Sequence, residues 1–204
     1  MAAVSRQSAA VAAAASVATK PPDASASLPV ITLADLASGD LDALAAKYGM
    51  RVVGVARGAA IPGSYWGDAE AGLVSDVLYV RADTPAHSAL HELSHYVCMD
   101  DARRARLATD AGGSDDEECG VCYLEVLLAD ELRGFGRARC IADMDAWGYS
   151  FREGSAAAWW TGDARFARDW LLERELIDVD DRPTLKLRGI SARESLLAAN
   201  EVRR

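Results

Sequence analysis

The chain has 204 residues, with 22 Lys and Arg against 31 Asp and Glu for a net charge of −9, and half of its residues are apolar. That length suits one compact domain with a sizeable core. The acidic balance makes nucleic acid a poor partner, and no run approaches the roughly 20 apolar residues that span a bilayer, so neither a polyanion nor a membrane is expected.

Residues 1–29 are rich in Ala, Ser and Pro and read as a disordered leader, because they offer little apolar surface to offset chain entropy. The alternative is an export signal, with Arg6 ahead of a soft Ala/Val stretch and Ser16-Val17-Ala18 as a small-residue cleavage site. Residues 30–204 read as a single α+β domain, a small β-sheet packed on helices. Thr32 can cap a helix through Leu33, Leu36, Leu41 and Leu44, broken at Ser38-Gly39 and stopped by Gly49. RVVGVA (51–56) and LVSDVLYVR (73–81) are strand-like, and IPGSYWGDAEAG between them reads as a loop. Asp83-Thr84-Pro85 opens a helix whose apolar periodicity runs to about Met99. Asp100 to Leu107 reads as surface helix, and TDAGG as a turn. Ser114-Asp115-Asp116-Glu117 has the capping-box form that starts a second long helix, continuing to about Leu132 and ended by Gly134. Asp143 to Phe151 reads as turn-rich. Helices are expected at 155–160 and 163–176, a strand at 184–187 and an amphipathic helix from Ser191. Arg188 and the arginines after it read as ordinary surface.

The cysteines Cys98, Cys119, Cys122 and Cys140 are too few and too unevenly spaced for a disulfide framework, so a reducing, cytoplasmic compartment is the expectation. Cys119 and Cys122 form a lone C-x-x-C with two readings, buried inert thiols or a redox pair.

Residues 91–95 read His-Glu-Leu-Ser-His. Residues four apart share one helix face, so His91 and His95 can reach one ion, while Glu92 sits to one side where it can take a proton from water. A divalent cation held by two neutral histidines needs a third protein ligand, and the second helix offers acids in its first turn. Asp115, Asp116, Glu117 and Glu118 are all favoured there by the helix dipole. Glu118 shares a face with Cys122 and Glu125, and Glu125 is an acid on an apolar stripe, where a charge needs a partner. Glu118 therefore reads as the third ligand. Glu125 reads as an acceptor behind a ligand histidine or as the alternative ligand, with Glu117 or a neighbouring Asp as lesser candidates.

The stretch VLYVRADTPAHSALHELSHYVCM followed by DDEECGVCYLEVLLADEL resembles the zincin-like metallopeptidases of the ImmA/IrrE type, in which a strand leads into an H-E-x-x-H helix and a later helix donates an acidic ligand. The resemblance implies a minimal zincin-like core, zinc on His91, His95 and Glu118, and Glu92 as general base. The substrate it implies is a peptide or protein. HELSHYVC followed by Asp101-Ala102-Arg103-Arg104 is also similar to the elongation factor P hydroxylase family, which implies Fe2+ and oxygen-dependent hydroxylation instead. A third reading is a regulatory protein in which the ion only fixes the helix pair.

His87 lies one turn before His91, but eight residues of helix span about 12 Å, too far for His87 and His95 to share an ion. It reads as a partly exposed polar residue, or as a group that supports a ligand histidine or contacts substrate. Tyr149 and Tyr65 can stabilise an oxyanion or simply pack. The strand at 73–81, if at a sheet edge, can hold an extended peptide by strand addition. Oligomeric state leaves no mark on the sequence.

Overall fold

The computed structural model describes residues 29–64, 67, 69–108 and 111–189. The leader (to residue 28), Tyr65, Asp110 and the helix expected from Ser191 lie outside the described residues. Among them the architecture is α+β, a three-stranded mixed sheet with seven helices. No helix among the described residues is long and apolar enough to cross a membrane.

The entry expected as one helix divides. A 3-10 turn at Leu33–Asp35 is closed by the Asp35 carboxylate, which accepts from the Thr32 N–H (2.9 Å) and hydroxyl (2.7 Å). The helix α1, Asp40–Lys47, starts only after Gly39, whose φ of +85° suits glycine. It buries Leu41, Leu44 and Ala45.

Strand β1 is Arg51–Gly54. The single strand expected over 73–81 is instead two, β2 (Gly72–Val74) and β3 (Val77–Val80), turned by Ser75 at φ +53° with Asp76. The turn carries no Gly or Asn, so its hairpin signal is weak. The sheet order is β1-β3-β2, with β3 parallel to β1 and antiparallel to β2. β3 is thus central and cannot accept an added strand; the strand-addition expectation is left with β2, and the turn Pro62 to Ser64 lies directly against that strand. A Cβ on Gly72 would fall 2.1 Å from the Pro62 carbonyl oxygen.

Helix α2, Ala86–Cys98, buries Ala86, Ala89, Leu90, Leu93 and Val97 completely. Thr84 does not cap it, because its hydroxyl accepts from the Arg81 N–H (2.9 Å); the helix is entered through Pro85. Ser88 fastens α2 to the sheet by accepting the Ala71 N–H at 3.0 Å. After the short α3 (Asp101–Arg104), helix α4 spans Asp115–Leu128 and runs on into a 3-10 turn. Its cap is the one read from sequence, with the Ser114 hydroxyl accepting from Glu117 N–H at 3.3 Å. α2 and α4 pack face to face as the centre of the core.

Helix α5, Gly136–Trp147, covers residues given no reading from sequence up to 142 and the start of the stretch read as turn-rich from Asp143. Its buried positions are Cys140, Asp143 and Met144, and an acid on the inward face disguises the period. Asp143 is nevertheless satisfied, accepting from the Ile31 N–H (2.9 Å) and from Arg139 (2.6 Å). α6 (Ala156–Gly162) and α7 (Arg165–Glu173) follow. The strand expected at 184–187 is absent; Leu185 takes φ +61°, and the only pairing near it is a bridge between Ile177 and Pro183. α7 docks on α4 at Gly120, where a Cβ would sit 2.6 Å from the Trp170 ring.

Candidate metal centre

Helix α2 carries His91 and His95 one turn apart, their rings edge to face with centroids 4.7 Å apart. Across from them, the first turn of α4 presents Glu118. Its two oxygens divide between the two rings, Oε1 3.3 Å from His91 Nε2 and Oε2 3.5 Å from His95 Nε2. One donor atom from each of the three lies within 4.8 Å of the others. In a tetrahedral site with zinc–ligand bonds of about 2.0–2.1 Å, ligand atoms are about 3.3 Å apart. The spacing of this trio fits a cation of that size.

Both histidines are nearly buried and Glu118 is half-buried. Burial works against charge on His91, but Tyr149, Cys122, Glu118 and Glu125 together hold its proton affinity well above the ordinary imidazole value. Burial likewise opposes charge on Glu118, yet His91 and His95 overcome it and bring the carboxyl down to about 2. These side chains therefore hold positive charge between an anionic pair, the electrostatics a bound cation would also satisfy.

Glu92 is half-buried beside this trio. Desolvation lifts its carboxyl to about 7, with Glu118, Glu70 and Glu125 adding and His91 opposing. A carboxylate poised near neutrality suits proton transfer. Glu70, on the strand-side loop, was not anticipated from the sequence.

The other face of His91 is closed. Its Nδ1 is 3.0 Å from Glu125 Oε2, a hydrogen bond to a fully buried acid. Burial raises the Glu125 carboxyl, and the His91 contact opposes that. His87 proves to be wholly buried rather than partly exposed. Its Nδ1 is 3.8 Å from Glu125 Oε1 and 3.4 Å from the Tyr149 oxygen, and burial, then His91, takes its pKa down to about 3, so the ring is neutral. Tyr149 packs edge-on to His87 and His91, with its hydroxyl in contact with Glu125. His87 and Tyr149 thus sit behind His91, on the side away from Glu118, the place a group supporting the ligand histidine would take, and Tyr149 packs against both rings.

His91, Cys122 and Glu125 form a second group able to hold an ion, all buried. The 3.0 Å contact between Nδ1 and Oε2 is already a hydrogen bond, and without a metal burial pushes the Cys122 thiol up to about 12. Cys119, half-buried, is raised to about 11 by burial and then by Glu118 and Asp116, which speaks against a reactive thiolate. All four cysteines are free.

Glu117, a lesser ligand candidate, is committed elsewhere. Arg103 Nη1 lies 2.5 Å from its Oε1 and Arg188 Nη1 2.8 Å from its Oε2. Arg188, read from sequence as surface, is buried, and also donates to the Cys98 carbonyl at 3.2 Å. Its own carbonyl accepts from Arg104 at 2.6 Å, and its N–H bonds the Val97 carbonyl at 3.0 Å. The segment after Pro183 therefore straps the ends of α2 and α4 together. A long-range pairing of this kind leaves no local sequence signal. No protein-family model, no curated protein and no solved structure matches this chain.

Proposed function

We propose that this chain is a metal-dependent hydrolase, most simply a peptidase, with zinc held by His91, His95 and Glu118. The observation that carries this reading is the meeting of both Nε2 atoms with one carboxylate, at 3.3 and 3.5 Å, beside a half-buried Glu92. A zinc ion at this trio would supply Lewis acidity and acidify bound water. Glu118 balances part of its charge, and Glu125 keeps the His91 ring in the orientation that turns Nε2 toward Glu118. Glu92 accepts the water proton and delivers it to the departing nitrogen of a peptide or amide, a role its pKa of about 7 supports.

Two histidines and one carboxylate also form the donor set of non-haem Fe2+ oxygenases, which keeps iron as the second reading. Zinc is favoured because a base at the position of Glu92 serves hydrolysis, whereas hydroxylation by dioxygen has no need of it. The test is metal analysis of protein purified without added metal, joined to peptide-hydrolysis and oxygen-consumption assays. About one zinc per chain and hydrolysis lost in Glu92→Gln with zinc retained support the proposal. Iron with oxygen uptake overturns it, and so does hydrolysis that survives Glu92→Gln.

A further inference from the structure

The polar groups behind His91 are more numerous than one hydrogen bond requires. His87 and His91 come from α2, Glu125 from α4, and Tyr149 from the segment after α5, and they meet around one carboxylate that has no solvent exposure. Such a set is costly to bury unless its donors and acceptors are matched in direction.

The direction can be worked out. A neutral imidazole carries one N–H, and His87 Nε2 has no partner, whereas its Nδ1 faces the Tyr149 oxygen at 3.4 Å. The proton therefore belongs on Nδ1, where it is donated to Tyr149. That leaves the Tyr149 O–H free to turn toward Glu125, whose Oε1 is 3.8 Å from the same His87 nitrogen. Glu125 Oε2 accepts from His91 Nδ1 at 3.0 Å. With its proton held there, His91 keeps the lone pair of Nε2 on the side of Glu118. The Tyr149 ring is held by edge-on packing against both imidazoles, at 5.4 and 5.8 Å between centroids, so its position does not depend on its hydroxyl.

We infer that His87 and Tyr149 are positioning residues that act through Glu125 on His91, forming a directional hydrogen-bond chain that sets how tightly the centre holds its metal. The inference rests on the zinc reading of His91, His95 and Glu118. Partners behind a metal-bound histidine fix its tautomer and raise its basicity, and removing them costs about 10–100-fold in metal affinity.

The experiment measures zinc dissociation constants by chelator competition on the full chain, for wild type and the variants His95→Ala, Glu125→Gln, Tyr149→Phe, His87→Leu and His87→Gln. Expected are losses of about 10–100-fold for Glu125→Gln and smaller losses of about 3–10-fold for Tyr149→Phe and His87→Leu, with His87→Gln, which keeps a donor, recovering part of the last. A purely structural role would lower the melting temperature of the zinc-free protein and leave the affinity of the folded fraction unchanged. If His95→Ala loses zinc while Tyr149→Phe and His87→Leu bind as wild type does, the inference falls and the metal centre stands. Should His95→Ala bind like wild type, the centre itself is wrong. A cobalt-loaded wild type with a thiolate charge-transfer band that disappears in Cys122→Ser would place the ion on the Nδ1 side and overturn the chain. Where a variant does not fold, nitrogen-edited NMR of zinc-loaded wild type decides: a slowly exchanging His91 Nδ1–H supports the chain, and its absence overturns it.

Discussion

Glu117 and Glu118 are consecutive in the first turn of α4, yet the two flanks they face differ in kind. Glu117 turns toward Arg103 and Arg188, two permanent cations that match both of its oxygens. Glu118 turns toward His91 and His95, and among the described residues its ion-pair contacts are those imidazoles. One flank is electrostatically closed by the protein itself. The other presents an anion to rings that are cationic only when protonated, so a metal ion can take the place of the protons. Negative charge left to such partners separates a site from a structural ion pair more reliably than acidity does.

The largest expected effect follows from that contrast. Glu118→Gln should abolish zinc retention after dialysis while Glu117→Gln keeps it, as read by elemental analysis; equal losses would break the distinction. Next in size, Arg188→Met should destabilise the metal-free protein by about 3 kcal/mol in urea unfolding, because it removes one partner of a buried acid. Glu118→Gln, at a partly hydrated position, should cost less in the same measurement. Gly120→Ala should cost about 1–3 kcal/mol by crowding the Trp170 ring, which would loosen the closed flank first.

The smallest effect concerns pH. In metal-free protein Glu92 has a carboxyl raised from 4.5 to about 7, so between those values the native state holds a proton that the unfolded chain has released. Stability from this group therefore falls as pH rises through that window. Glu92→Gln mimics the protonated form, so it should match wild type below about pH 4.5 and exceed it above about pH 7 in chelator-treated thermal melts. A constant difference across the range would refute the assignment.

The approach of His91, His95 and Glu118 was largely legible because the parts of this candidate site are local. His91, Glu92 and His95 lie within one turn or so of a strongly apolar helix, and the Ser114 cap announces the helix that carries Glu118. What escaped depends on long-range partners. A buried Asp143 broke the inward pattern of α5 until Ile31 and Arg139 came to satisfy it. The Ser75 turn lacks the glycine that would have divided one strand into two. Arg188 looked like surface because a lone arginine in sequence reveals nothing of an acid 71 positions earlier.

That separation has a consequence for biogenesis. Arg103 can meet one oxygen of Glu117 early, but the other oxygen is synthesised 71 residues ahead of the Arg188 that pairs with it, so a chain emerging from the ribosome has to keep that oxygen hydrated until the strap arrives. Contacts of such span form late, after local helices. The α4 turn that bears Glu118 is then fastened last, which makes a truncated or nicked chain lacking the strap the form most exposed to surveillance by proteases.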